Sequence, residues 1–154
     1  SNAQPSTQQG QPKKLFRTPR TGKDTMPEYG PIITLDAKTE ATASFIFLHG
    51  STEDVCGGVS AHRWARRLRK GLHMPWSRVV VPSGFIDNDA ATDQRVWLRQ
   101  DGRGGLAESL KYIESLIAMQ VRSGIPSERI VIGGEGQGGT LAVVAALLLD
   151  ARLG

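Results

Sequence analysis

A glycine-rich turn carries the pattern in this sequence that comes nearest to a chemical function. Residues 133–139 read Gly-Gly-Glu-Gly-Gln-Gly-Gly and lie between an apolar run at 130–132 and an apolar stretch that begins at Thr140. A strand, a sharp turn and a helix in this order form a nucleophile elbow when the turn reads Gly-x-Ser-x-Gly, and the serine then attacks carboxylic esters. The serine position is Gly136 in this chain, so the attacking hydroxyl is absent.

The surrounding sequence predicts an α/β fold with a mainly parallel sheet. Short apolar runs at 43–50, 77–83 and 130–132 predict strands, and the last of these is typical of a strand buried on both faces. A second apolar stretch, 141–149, predicts a helix packed on the sheet. Another helix is predicted before the turn, where apolar residues recur at spacings of three and four: Leu106, Leu110, Ile113, Leu116, Ile117 and Val121. Strands that alternate with helices favour this fold class.

Four segments carry a family resemblance. They are Phe-Ile-Phe-Leu-His-Gly at 45–50, Trp64, Gly-Ile-Pro-Ser-Glu-Arg-Ile at 124–130, and the turn at 133–139. Together they resemble the acyl-protein thioesterase and lysophospholipase/carboxylesterase group of α/β-hydrolases over about residues 30 to 154. The resemblance implies a partial α/β-hydrolase fold that ends just after the elbow helix. Enzymes of this group cleave carboxylic esters and thioesters, so it also implies an acyl ester or thioester ligand.

The same resemblance places the catalytic nucleophile at Gly136. In the family a serine there attacks the acyl carbonyl, a histidine acts as base, and an aspartate orients the histidine. The acid and the base follow the nucleophile along the chain in this fold, but the sequence contains no histidine after His73. We therefore expect a chain that lacks the nucleophile, the acid and the base, and is catalytically inactive as it stands.

The oxyanion hole depends on backbone N–H groups rather than on side chains. The resemblance assigns its donors to the amides of Ser51 and Gln137, and both positions are present. An elbow nucleophile has a strained backbone that costs a non-glycine residue roughly 1 to 3 kcal/mol. Glycine adopts such a conformation with little steric penalty, so Gly136 is expected to relax the turn.

Other interpretations of the turn are weaker. Gly134, Gly136 and Gly139 also fit the Gly-x-Gly-x-x-Gly fingerprint of dinucleotide sites, but the acidic residue expected after the following strand has no counterpart. Glu135 is expected to be solvated or hydrogen-bonded rather than to replace the lost nucleophile. We expect no cofactor.

The remaining candidate side chains favour structural roles. Cys56 is the only cysteine, which excludes an internal disulfide and indicates a reducing compartment, and it would need a paired histidine for catalysis. His49 is interpreted as a turn residue at the end of its strand, and His62 and His73 as surface residues. Their spacing does not fit a zinc site, so we expect no metal. A group of carboxylates is expected to form a solvated loop: Asp87, Asp89 and Asp93.

Basic residues dominate two regions of a chain whose formal net charge is +4. One group lies near the start (Lys13, Lys14, Arg17, Arg20 and Lys23) and the other in one predicted helix (Arg63, Arg66, Arg67, Arg69 and Lys70). We expect Trp64 and Leu68 to turn this helix towards the core while its basic residues face water. The alternative function is a basic interaction module that contacts an anionic membrane surface or an acidic protein partner. Nucleic acid is disfavoured, because no DNA-reading motif or aromatic platform accompanies the charge.

The predicted organisation is a tail followed by one domain. Residues 1–29 are expected to be a tag remnant, Ser-Asn-Ala, and a disordered basic tail, and 30–154 to be the N-terminal part of the hydrolase domain. The sequence shows no secretory signal and no apolar run long enough to cross a bilayer, so a cytoplasmic protein is expected. The strand at 130–132 would be an unpaired apolar edge. We expect either a homo-oligomer or a missing C-terminal segment to cover it.

Overall fold

The structure is a computed structural model that describes residues 27–50, 59–87, 94–99 and 104–154. Ser51, Cys56, Asp89, Asp93 and the basic residues before position 27 lie outside this described part. In chain order, its elements are β1 (Ile33–Leu35), β2 (Ala43–Leu48), α1 (Val59–Gly71), β3 (Ser77–Val81), β4 (Phe85–Ile86), β5 (Arg95–Val96), α2 (Leu106–Arg122), a short 3-10 helix (Ser127–Arg129), β6 (Ile130–Gly134) and α3 (Gly136–Leu148). The predicted strands and helices are thus confirmed, with small differences at their ends.

The main sheet has the strand order β1-β3-β2-β6. β2 runs parallel to both β3 and β6, and β1 pairs with β3 in the antiparallel direction. β4 and β5 form a separate two-stranded ribbon. The expectation of a mainly parallel sheet with flanking helices is confirmed, and the carboxyl ends of β2, β3 and β6 meet at one edge.

Alternation along β2 divides the core between the two faces of the sheet. Ile46 and Leu48 belong to the cluster that packs α2 and α3 on one face. Phe47 belongs to the cluster on the other face, where Ala61 and Ala65 of α1 cover β1 and β3. Since β2 is central and apolar on both sides, it fixes the position of everything that follows it at the carboxyl edge.

β6 differs from the prediction of a strand buried on both faces. Ile130 is fully buried against α2 and α3, but Val131 points to the opposite face and is 46% exposed. The reason is that α1 packs over β1 and β3 and leaves the end of the sheet at β6 uncovered. The prediction was therefore right for one face and wrong for the other.

The two long apolar helices differ in how far their apolar residues are buried. In α2, the central residues Ile113, Leu116 and Ile117 are buried, whereas the terminal Leu106 and Val121 are exposed. α3 buries Leu141, Ala142 and Ala145 on the sheet and exposes apolar side chains elsewhere: Val143, Leu147 and Leu148. The described helices include none that is long and apolar enough to cross a membrane.

Tyr29, which composition placed in the tail, is packed on the domain. Its ring stacks on Tyr112 with 3.8 Å between ring centroids and meets Phe85 edge-on. Its backbone forms an isolated antiparallel bridge with Phe85. Burial raises the pKa of Tyr112 to about 12, and the neighbouring Tyr29 acts in the same direction. Aromatic stacking therefore brings this residue into the fold although the polar sequence before it shows no periodicity.

Candidate functional site

The turn between β6 and α3 is a tight elbow tied to the end of β2. β6 ends at Gly134, Glu135 remains extended, and Gly136 has φ +53°, in the left-handed region. The Glu135 N–H donates to the Leu48 carbonyl at 3.1 Å, and the Glu135 carbonyl accepts from the N–H groups of Gly138 and Gly139. The side chain of Glu135 is exposed, as expected. Hydrogen bonds on both sides of Gly136 thus hold its backbone in place.

Two glycines of the elbow have no room for a side chain. A Cβ on Gly134 would lie 2.5 Å from the Leu48 carbonyl oxygen. One on Gly138 would lie 2.3 Å from the same oxygen and 2.4 Å from that of His49. Real Cβ atoms do not approach backbone oxygens this closely, so the first turn of α3 lies directly against the end of β2 only because these positions are glycine.

Gly136 is the open position of the same turn. Among the described residues, a Cβ there would meet only the Gly50 Cα, at 3.6 Å, which is an ordinary van der Waals contact. The residue is exposed and lies at the carboxyl edge of the sheet. None of the described residues accordingly blocks a side chain at the position that would carry the nucleophile, and Gly136 has no side chain there.

Gln137 contributes both its backbone and its side chain to the elbow. Its amide belongs to the first turn of α3, where N–H groups have no acceptor within the helix and the helix dipole favours negative charge. Its side-chain oxygen accepts from the N–H groups of Trp97, at 2.7 Å, and Leu98, at 3.2 Å. Its side-chain nitrogen donates to the Leu98 carbonyl at 2.9 Å. These three bonds lock Gln137 to the segment that follows β5.

The partner assigned to Gln137 in the oxyanion hole is Ser51, which lies outside the described residues. Gly50, directly before it, is buried beside the elbow, with its Cα facing the Gly136 position. The described residues therefore bring one proposed oxyanion donor and the empty nucleophile position together.

His49 is a buried structural residue at the end of β2. Its Nδ1 lies 2.7 Å from the Gly50 carbonyl oxygen, and its Nε2 accepts from the Gly84 N–H at 2.9 Å. This pair of contacts requires the neutral ring with its proton on Nδ1. Burial lowers the pKa of His49 below its usual 6.5, the bond to the Gly50 carbonyl opposes this shift, and nearby Arg95 adds to it. Both ring nitrogens are occupied, so His49 is not placed to act as a base or a metal ligand.

His49 also fixes the aromatic core of the site. Its carbonyl accepts from the Trp97 indole N–H at 2.8 Å, and the two rings lie 5.1 Å apart. Trp97 is fully buried and its backbone is bound by Gln137. His49, Trp97 and Gln137 thus join the end of β2, the end of β5 and the start of α3.

Asp87 departs from the expectation of a solvated loop. It is buried, and one of its carboxylate oxygens lies 3.2 Å from an Arg99 side-chain nitrogen. The charge pair compensates for removing the carboxylate from water. His62 and His73 are exposed, as expected, and the described residues contain no group of three or more potential ligands placed to hold a metal ion.

The basic face of α1 is solvent-exposed, as its spacing predicts. Arg66, Arg69 and Lys70 are exposed, while Trp64 and Leu68 pack against the sheet. Arg67 lies with its guanidinium carbon 5.2 Å from the centre of the Trp64 ring. The helix therefore presents positive charge to water without giving up its apolar contact.

Residues 31–154 match the family described as phospholipase/carboxylesterase. The chain belongs to this family. Acyl-protein thioesterase 1 of Gibberella zeae is 31% identical over 135 residues, which cover 79% of this chain and 57% of that protein. Acyl-protein thioesterase 1 of Yarrowia lipolytica is 30% identical over 139 residues, covering 84% of this chain and 60% of the relative. The chain thus spans 57% and 60% of the length of these two relatives, which is less than two thirds.

Solved structures show the same fold over part of their length. The phospholipase/carboxylesterase from Dyadobacter fermentans has a TM-score of 0.55 at 20% identity, with 79% of this chain and 55% of that chain covered. Zea mays acyl-protein thioesterase 2 has a TM-score of 0.54 at 19% identity, with 77% and 51% covered. The elbow, the parallel sheet and the flanking helices therefore form part of a phospholipase/carboxylesterase-type α/β-hydrolase fold.

The sequence does not predict the side-chain bonds of two residues at the site, Gln137 and His49. The side-chain bonds of Gln137 join it to positions 97 and 98, and those of His49 reach position 84. Neither contact follows a regular spacing, because each joins separate segments at the carboxyl edge of the sheet. The position of His49 at the end of an apolar strand was the one available signal, since polar residues there face the site edge.

Proposed function

We propose that this chain is a cytoplasmic, noncatalytic member of the phospholipase/carboxylesterase family that binds an acyl ester or thioester without hydrolysing it. The observation that carries the proposal is Gly136, which occupies the open nucleophile position with φ +53° and no side chain. The relatives named acyl-protein thioesterase support the ligand class. The single cysteine supports a reducing compartment.

Loss of the nucleophile removes the chemistry and leaves the elements that could bind a carbonyl. Removing the nucleophile from a triad hydrolase lowers turnover by about a million-fold, and the remaining groups supply about a thousand-fold over water. Thr140, one turn along α3, does not replace it, because its hydroxyl bonds to the Gly136 carbonyl. The Gln137 amide at the start of α3 remains as a donor for the ligand's carbonyl oxygen.

The test pairs a hydrolysis assay with a binding assay on the full chain. Release of p-nitrophenol from its octanoyl ester measures hydrolysis, and calorimetry with a ketone analogue of an octanoyl thioester measures binding. We expect hydrolysis within about a thousand-fold of the buffer rate. We also expect measurable binding, since the analogue keeps the carbonyl but has no bond to cleave.

Two leucine variants locate the bound carbonyl. Gly136→Leu fills the open position and is expected to weaken analogue binding by at least about tenfold, equivalent to the loss of one good contact. Gly124→Leu is the matched control, because Gly124 also has positive φ and open space but lies at the end of α2. Hydrolysis far above the expected ceiling would contradict the noncatalytic assignment. Absence of analogue binding, or equal loss in both variants, would contradict the binding assignment.

A second candidate function, contact with an anionic membrane surface, is favoured by the basic face of α1. Arg66, Arg69 and Lys70 are exposed on a helix segment without an acidic residue. Binding to phosphatidylserine vesicles should fall steeply as salt is raised, because screening weakens surface attraction. Arg66→Gln combined with Lys70→Gln should reduce it, and Lys111→Gln on α2 should not. Binding that ignores salt or these residues would exclude this candidate.

A further inference from the structure

A cleft lies at the end of the sheet opposite the elbow. It encloses about 730 Å³ between the last turn of α1, the end of β1 and the start of β3. This volume is within the range of roughly 300 to 1,000 Å³ that is usual for small-molecule sites. Parallel strands rise about 3.3 Å per residue, so Ser77, at the start of β3, lies roughly 13 Å from the carboxyl end of that strand, and Val79 lies about halfway. The residues that line the cleft include none from positions 134–139, and β2 lies between β3 and β6. The cleft and the elbow are therefore separate sites.

The walls of the cleft are apolar and only partly covered. Leu35, Leu68 and Leu72 pack partly buried against the core cluster beneath α1, and Val79 closes the floor. Trp76 stands at the opening and is 48% exposed. An indole and leucine side chains that stay half in water gain free energy when an alkyl chain covers them. The walls thus favour a ligand with an apolar body.

Backbone hydrogen bonds hold the mouth of the cleft in place. The N–H groups of Lys38 and Thr39 donate to the Pro75 carbonyl at 2.7 and 3.1 Å, and Thr42 donates to the Trp76 carbonyl at 3.0 Å. These bonds tie the segment after β1 to the turn before β3. The lip that carries Lys38 and Trp76 is consequently preformed, which lowers the entropy cost of binding.

The rim of the cleft carries an excess of basic side chains. Lys38, Arg69 and His73 line it together with a single carboxylate, Asp36. Asp36 is exposed and has a basic neighbour of its own, with 3.9 Å between its oxygen and the Arg78 side-chain nitrogen. A planar guanidinium and an ammonium beside an apolar wall match a ligand whose anionic head follows an alkyl chain.

We propose that this cleft binds a single-chain anionic amphiphile, with its alkyl chain between Leu68, Leu72 and Trp76 and its head group at Lys38 and Arg69. A free amphiphile fits better than a lipid bilayer, because the cleft is a concave space of about 730 Å³ between three elements, which is the size of a small-molecule site. The site is independent of the elbow, so it does not depend on whether the chain hydrolyses esters.

The primary test is calorimetric titration of the full chain with monomeric probes below their micelle concentrations. Dodecanoate and dodecyl phosphate share the proposed chemistry and differ in head group, while dodecyltrimethylammonium has the same chain with the opposite charge. We expect either anion to bind at least about tenfold more tightly than the cation. Octanoate should bind at least about tenfold more weakly than dodecanoate, since each fully buried methylene is worth roughly fourfold.

Matched variants then locate the bound probe. Lys38→Gln combined with Arg69→Gln should weaken anion binding by at least about tenfold. Arg66→Gln, on the same helix but outside the cleft, should change it less than about twofold. Leu72→Glu should abolish binding by placing a carboxylate among the apolar walls. If that variant misfolds, the exposed Lys38 and Arg69 changes alone decide the matter.

Several outcomes would overturn the proposal. They are equal binding of the anionic and cationic probes, no effect of chain length, equal losses in the Arg66 and the Lys38/Arg69 variants, and binding to anionic vesicles but to no monomeric probe. The last result would assign the basic rim to a membrane surface. Competition between dodecanoate and the ketone analogue of the octanoyl thioester would place both ligands at one site. That result would contradict the separation of the cleft from the elbow.

Discussion

Gly136 and Gly138 lie two residues apart in one turn, yet they face opposite constraints. Gly138 is pressed against the carbonyl oxygens of Leu48 and His49, so no larger residue fits there, whereas the described residues leave the space above Gly136 open. The crowded side builds the elbow and the open side is where a nucleophile would stand. Gly138 therefore maintains the shape of the turn, whereas the residue at position 136 determines whether the turn carries a nucleophile.

The largest expected effect is on the crowded side. Gly138→Ala places a methyl group within the contact distance of two backbone oxygens, which neither β2 nor α3 can relieve without moving. We expect a loss of at least about 4 kcal/mol in the free energy of unfolding, at the upper end of overpacking effects. Urea denaturation followed by circular dichroism measures it. A loss no greater than that of Gly136→Ala would break the distinction between the two sides.

The next largest loss in the free energy of unfolding is expected at His49, whose carbonyl oxygen lies against Gly138. His49→Phe leaves the Gly84 N–H and the Gly50 carbonyl without their buried partner, at an expected cost of about 3 kcal/mol. His62→Phe, at an exposed position of α1, is the control and should change the free energy of unfolding by less than about 0.5 kcal/mol. Equal losses in the two variants would remove His49 from the support of the elbow.

His49 also predicts how stability depends on pH. Burial lowers its pKa in the folded state below the unfolded value of 6.5, so the unfolded chain binds the proton more readily. This contribution to stability is fully present above pH 6.5 and is lost as the pH falls towards the folded-state pKa. The slope is expected to reach at most about 1.4 kcal/mol per pH unit. His62→Gln should keep the slope and His49→Phe should reduce it, as measured by urea denaturation between pH 5 and 7.5.

A smaller loss in the free energy of unfolding is expected at Gln137, whose side chain bonds the start of α3 to residues 97 and 98. Gln137→Met keeps the length of the side chain but loses three hydrogen bonds to residues 97 and 98. We expect a loss of about 2 kcal/mol, because the Trp97 N–H is left without its acceptor. Thr140→Val, which removes one exposed bond in the same helix, should cost less than about 0.5 kcal/mol. Unchanged Trp97 fluorescence in Gln137→Met would show that the hydrogen bonds of the Gln137 side chain do not order the site.

The smallest effect is expected at Gly136 itself. Gly136→Ala has room for its methyl group and pays only for a left-handed backbone, at about 1 kcal/mol. Gly124→Ala shares the positive φ and the open surroundings and should lose a similar amount. A much larger loss at Gly136 than at Gly124 would mean that the open side is also structurally constrained.

The sequence predicts the elements of this fold well because their signals are local. The apolar run at 130–132, the glycines after it and the apolar helix that follows predict β6, the turn and α3 without knowledge of distant residues. The exposure of Val131 could not be predicted in this way, since it depends on which strands α1 covers. Asp87 shows the same limit, because its burial depends on the arrival of Arg99 from another segment.

The local part of the site was predictable from the sequence, and its contacts with distant segments were not. The order strand, glycine turn and helix indicates an elbow, and the sequence has Gly136 where the elbow motif has a serine. The crowding at Gly134 and Gly138 could not be anticipated, since it arises from the carbonyl oxygens of β2, which is far away in sequence. The bonds from His49 to Gly84 and from Gln137 to Trp97 are likewise determined by tertiary structure rather than by spacing.

The pairing of β2 with β6 has a kinetic consequence. Ser44 lies opposite Ile130, so the elbow cannot assemble until two strands distant in sequence have met. Contacts of such high sequence separation slow folding, because the intervening chain must first be ordered. We therefore expect the β6–α3 elbow to form after the transition state, and Gly138→Ala to accelerate unfolding far more than it slows folding. The turn that marks the chain as a hydrolase relative would then be among the last parts of it to become native.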